Sequence, residues 1–153
     1  MGRREGKCLP GLLAILGISL FLFSCALFPK DPTSPEADKS TQVFDASEKI
    51  VVRAITQVLK DRGFGQAKEE KVGEDQSRLQ TEYVPQGDWR TKVEATIKKI
   101  NPKESEVTLL VITEQKESKS SDWKPKKLMG KDQYEKLFNE IELQIYREWG
   151  KGR

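Results

Sequence analysis

The chain has 153 residues, with 27 Lys and Arg against 24 Asp and Glu, a net charge of +3, two cysteines and no histidine. Its length gives room for one domain with a core of its own and too little for two. The near balance of sign excludes a nucleic-acid footprint, and the missing histidine removes Ser-His-Asp and Cys-His nucleophile systems together with the usual zinc ligand sets.

Arg3, Arg4 and Lys7 precede an apolar stretch from about Leu9 to Phe23, the charged and greasy regions of an export signal. At its end, Leu22-Phe23-Ser24-Cys25 resembles the lipobox of bacterial lipoproteins, in which the cysteine receives lipid and becomes the mature N-terminus. That resemblance implies that residues 1–24 are removed, that Cys25 is the lipidation site and that the membrane is a partner through its lipid. Ala26, next to the cysteine, lacks the acidic residue that favours inner-membrane retention in enterobacterial lipoproteins, so the outer membrane is the expected address. Counted through Phe28, the apolar run reaches about twenty residues, enough to cross a bilayer, and an uncleaved N-terminal anchor is the alternative. Both readings put the remaining chain outside the cytoplasm. Cys8 leaves with the signal and Cys25 is consumed by lipid, so no disulfide is expected in the folded part.

Pro29, Pro32 and Pro35 lie among Lys, Asp, Ser, Thr and Glu, with little that is apolar after Phe28, which makes residues 25–43 a lipidated N-terminus and flexible linker. At about 3 Å per residue, its roughly seventeen residues from Ala26 to about Gln42 reach up to about 50 Å from the membrane surface. The first ordered element is expected at Asp45, placed to cap a helix with Glu48 three residues on. Ile50, Val51, Ala54, Ile55, Val58 and Leu59 then recur at helical spacing, and Gly63 stands where a left-handed terminator belongs. The expected helix covers residues 46–62.

The segment 64–72 and the alternation of Leu79, Thr81 and Tyr83, joined by the Gly73-Glu74-Asp75 turn, predict a hairpin. Trp89, Thr91, Val93, Ala95 and Ile97 alternate with Arg90, Lys92, Glu94, Thr96 and Lys98, the period of a half-buried strand. After Asn101-Pro102, the residues Val107, Leu109, Val111 and Thr113 continue the inner face, while Leu110 and Ile112 make the outer face apolar as well. A final helix from about Asp132 to Trp149 carries Tyr134, Leu137, Phe138, Ile141, Ile145 and Trp149 on one side. These elements predict an α+β two-layer sandwich over residues 44–150: an antiparallel four-stranded sheet with N- and C-terminal helices on one face, in the order αββββα.

This order, with the runs Phe44-Asp45-Ala46-Ser47, Lys60-Asp61-Arg62-Gly63-Phe64 and Leu79-Gln80-Thr81-Glu82-Tyr83, resembles the helix-grip domains of envelope lipoproteins such as the BamC lipoprotein of the β-barrel assembly machinery. The resemblance covers residues 44–149 and implies the fold and the compartment, with no functional residue carried over. The carboxylate pairs Glu69/Glu70 and Glu140/Glu142 are read as a solvated surface rather than an acid/base pair, and Glu74-Asp75 lacks the spaced oxygen ligands of a calcium loop. No catalytic residue, metal or cofactor is therefore expected. The candidate interaction surface is the outward pair Leu110 and Ile112, with Trp123 in a loop bracketed by Lys116, Lys119, Lys124, Lys126, Lys127 and Lys131. The alternatives for these are a covered strand and a solvated loop. The resulting expectation is a non-enzymatic periplasmic interaction or envelope-assembly module. A carrier of a lipid or small apolar ligand, held between helix and sheet, is the runner-up.

Overall fold

The computed structural model describes residues 39–117, 122–126 and 129–151. The expected signal, Cys25 and most of the linker lie outside the described residues. In chain order the elements are β1 (Ser40–Phe44), α1 (Glu48–Asp61), β2 (Ala67–Gly73), β3 (Gln76–Thr81), β4 (Val84–Gln86), β5 (Trp89–Asn101), β6 (Glu104–Lys116), β7 (Trp123–Lys126) and α2 (Lys131–Gly150).

Among the described residues the sheet has seven antiparallel strands, not the expected four, and the order αββββα is wrong. Its path is β1-β6-β5-β3-β2, with β4 added on β5 and β7 on β6. The cause is the length of β5 and β6, thirteen residues each, or about 40 Å at about 3.3 Å per residue. One short neighbour leaves part of such an edge bare. So β3 and β4 share the outer edge of β5, pairing with residues 94–98 and 89–91, while β1 and β7 share that of β6, pairing with residues 105–109 and 113–116. The three additional strands are short, and two of them carry a proline, Pro85 and Pro125, at positions an edge strand tolerates.

Each shared edge leaves a gap in the ladder, and the two gaps fall opposite each other at the cross-strand pair Val93 and Val111. Side-chain hydroxyls fill both. The Val93 N–H donates to Thr81 Oγ1 at 2.9 Å, and the Val111 N–H donates to the Tyr134 hydroxyl at 3.0 Å. A buried N–H without an acceptor costs about 1–3 kcal/mol. Tyr134→Phe is therefore expected to lower the unfolding free energy by about that amount in urea titrations, whereas Tyr146→Phe, at a 56% exposed position, leaves it nearly unchanged. Equal effects from the two would contradict the assignment.

Both helices pack on one face of the sheet. Leu79, Val93, Ala95, Ile97, Val107 and Leu109 point into that layer from the strands, against Val51, Ile55 and Leu59 of α1 and Phe138, Ile141 and Ile145 of α2. Phe44 of β1 closes the end of the layer with its ring centroid 6.1 Å from that of Phe138. Gly63 has φ +78° and ends α1, and the Phe64 N–H donates to the Leu59 carbonyl at 2.9 Å. Gly65, at φ +84°, lets the following loop lie on Val84, since a Cβ there would come within 3.3 Å of Val84 Cγ2.

Two local expectations need correction. The N-cap of α1 is Ser47 and no side chain caps it. Glu48 instead turns onto the sheet, where its carboxylate accepts from Lys71 Nζ at 2.6 Å and from Ser77 Oγ. Burial raises its pKa, but the Lys71 and Ser77 hydrogen bonds outweigh that and hold the carboxyl below the usual range. Trp149, expected on the buried side of α2, is 39% exposed, beside the β5–β6 turn at the end of the sheet.

Candidate functional site

With both helices on one layer, the opposite face of the sheet carries no helix among the described residues, and its strands set side chains in cross-strand rows. Gln80, Glu94 and Leu110 form one row, Lys92 and Ile112 the next, and Arg90, Glu114 and Pro125 a third. Leu110 and Ile112 alternate with the fully buried Leu109, so they point outward as expected, and both are half-buried. They lie beside an ion pair: Lys92 Nζ is 2.7 Å from Glu94 Oε1. Glu94 is raised by burial, but the hydrogen bonds from Lys92 and Gln80 bring its carboxyl below the ordinary value. The aliphatic stems of such charged neighbours cover apolar surface while their ends stay wet.

Trp123 belongs to a strand rather than a loop. It is the register partner of Lys116 on the edge of β6, which aims its ring at the same outward face. There it meets three residues that sequence reasoning missed. The Arg90 guanidinium lies between two rings, 4.3 Å from the Tyr83 centroid and 4.5 Å from that of Trp123. Glu114 accepts from Arg90 Nε at 2.5 Å and from the Tyr83 hydroxyl at 2.9 Å. Burial and the adjacent Glu114 carboxylate push the Tyr83 hydroxyl up to about 12, so it stays a donor. The corner is a fixed amphipathic surface made of a cation flanked by aromatics. Alternation gave the outward face of Arg90 in advance, but not the register that sets Glu114 opposite it.

The other sequence candidates do not gather. Glu140 is held by Arg62 in a two-pronged ion pair joining α1 to α2. Among the described residues no three His, Cys, Asp or Glu side chains are placed to hold a metal, and no helix is long and apolar enough to cross a membrane. The seam between helices and sheet is filled along most of its length, with Ile55, Leu59, Leu109 and Ile141 fully buried. At one end it opens into a cleft of about 420 Å³ between the start of α2 and the sheet, lined by Phe64, Val111, Met129 and Leu137 over Thr91 and Thr113.

No family model matches the chain, and no curated protein matches it. Among solved structures, the vertebrate conserved region of human METTL16 is similar to this chain, with 17% sequence identity over 72% of this chain and 97% of that one and a TM-score of 0.42.

Proposed function

We propose that the chain is a non-enzymatic lipoprotein held at the outer membrane by lipid on Cys25, and that its domain binds an envelope protein in the periplasm through the outward face of the sheet. The anchor rests on the lipobox resemblance at residues 22–25. The observation that carries the binding role is the meeting of Leu110 and Ile112 with the Tyr83-Arg90-Trp123 corner on one face. Trp, Tyr and Arg are the residue types that dominate protein–protein binding energy. The charges of this face are mixed in sign, Arg90 and Lys92 beside Glu94 and Glu114, which suits a protein surface better than a polyanion.

The test is capture of the crosslinked partner from membranes by Leu110→Glu and Trp123→Ala variants. The expected result is capture weakened at least about tenfold, about 1.4 kcal/mol, with the melting temperature nearly unchanged. Variants as stable as the parent that capture the same partner normally would remove this face from the proposal.

The carrier reading is favoured by one observation, the apolar cleft beside Val111 and Leu137, whose size lies within the range of small-molecule sites. Val111→Trp would fill that cleft and abolish ligand retention while leaving partner capture intact.

A further inference from the structure

The C-terminal half of α2 exposes a stripe that its neighbours leave uncovered. Leu143 is 58% exposed, Tyr146 56% and Trp149 39%. Each lies three residues from the next, so neighbouring members touch along a ridge that winds about 120° around the helix, and the Tyr146 and Trp149 rings pack edge to face at 5.4 Å. Trp149 also borders a cleft of about 740 Å³ with Ile50, Pro102 and Lys103 at the β5–β6 turn, and Ile100 just before that turn is 50% exposed. A single exposed apolar residue is ordinary; a contiguous apolar ridge continued onto a neighbouring turn marks a contact surface.

We infer that this end of the domain rests on the phospholipid surface to which the chain is tethered, with Leu143, Tyr146 and Trp149 at headgroup depth. The composition points to that partner. Tyr and Trp rings combine an apolar body with a polar edge and collect at membrane interfaces. The exposed Arg147 at the same helix end has a stem long enough to follow the rings down and leave its charge at the phosphates, while Lys151 is paired with Glu148 at 2.6 Å.

The tether supplies the second argument, and here the inference rests on the lipoprotein reading. At about 3.5 Å per residue the stretch 26–39 reaches about 50 Å, while a domain of this size has a radius of gyration of about 14 Å. Every face of the domain therefore comes within reach of the membrane. Short flexible tethers give effective concentrations of about millimolar, so a patch with only a millimolar dissociation constant is docked about half of the time. Glu142 on α2, with Asp45 and Glu104 in the cleft, keeps this end from being strongly cationic. The contact is therefore carried by apolar burial and responds little to salt.

The experiment uses the full lipidated chain in nanodiscs of phosphatidylethanolamine and phosphatidylglycerol, with ordinary or brominated acyl chains, and reads tryptophan emission. Trp149→Phe separates Trp149 from Trp89 and Trp123. Quenching in brominated discs that disappears in Trp149→Phe is expected, the same at about 50 and about 500 mM salt. Leu143→Ser with Tyr146→Ser, both at exposed positions, is expected to reduce the quenching severalfold without lowering the melting temperature. A chain that co-elutes with the disc yet shows equal Trp149 emission in both lipids overturns the inference and leaves the anchor standing. A chain that does not co-elute overturns the anchor and the inference together. Trp149 unquenched in discs, but shielded from iodide in whole membranes, would assign the stripe to a protein partner instead and overturn the inference.

Discussion

Ile55→Ala and Ile141→Ala are each expected to destabilise the domain by about 2–5 kcal/mol. Both side chains are fully buried, one from each helix, in the single layer where the helices meet the sheet. Truncation removes three methyl or methylene groups and leaves a hole that close-packed neighbours fill only in part. Small domains have about 5–15 kcal/mol of stability in all, so either loss consumes a large share of it. Urea denaturation reads the effect directly. Lys60→Ala, at an exposed position on the same helix as Ile55, stays within about 0.5 kcal/mol. Equal shifts from all three variants would contradict the placement of both helices on one face.

Cys25→Ala is expected to abolish incorporation of an alkyne-labelled fatty acid and to leave the unprocessed chain. In the proposed lipoprotein the effect is all or nothing, because the Cys25 thiol would accept the lipid and Cys8 would leave with the signal. Label that persists on the Cys25→Ala variant would dismiss the lipobox reading, and an unlabelled chain whose size matches in wild type and variant would favour the uncleaved apolar anchor.

Much of the fold was legible where one physical signal dominated. The apolar period of α1 put Ile50, Val51, Ala54, Ile55, Val58 and Leu59 on one face; the last five are buried and Ile50 is half-buried against the core. The alternation in β5 predicted Trp89, Thr91, Val93, Ala95 and Ile97 as inward; the last three are fully buried, and Trp89 and Thr91 are half-buried. The sheet's true width was illegible because β1, β4 and β7 have no period of their own. Ser40-Thr41-Gln42 reads as the end of a linker, while Val84-Pro85-Gln86 and Trp123-Lys124-Pro125-Lys126 read as loops. These segments become strands because the long edges of β5 and β6 need partners, a requirement set by tertiary structure.

The same limit applies to the candidate face. The outward direction of Leu110 and Ile112 was readable from alternation, whereas the stacking of Arg90 between Tyr83 and Trp123 depends on the exact registers of the β4–β5 and β6–β7 pairs, which no sequence period specifies. Glu48 shows the opposite failure. Its spacing from Asp45 matched a local capping pattern, but long-range bonds to Lys71 and Ser77 claimed the carboxylate.

Strand β2 ends the sheet on one side, and nearly all of it is exposed. A bare strand edge invites a second copy to continue the ladder. Here the middle of the strand reads Lys68-Glu69-Glu70-Lys71, the same in both directions. If two such edges met antiparallel about their midpoints, Lys68 of one copy would face Lys71 of the other and Glu69 would face Glu70, like charge against like at every step. The charge palindrome therefore acts as a bumper between identical neighbours, so that crowded copies stay separate instead of knitting into a continuous β lattice.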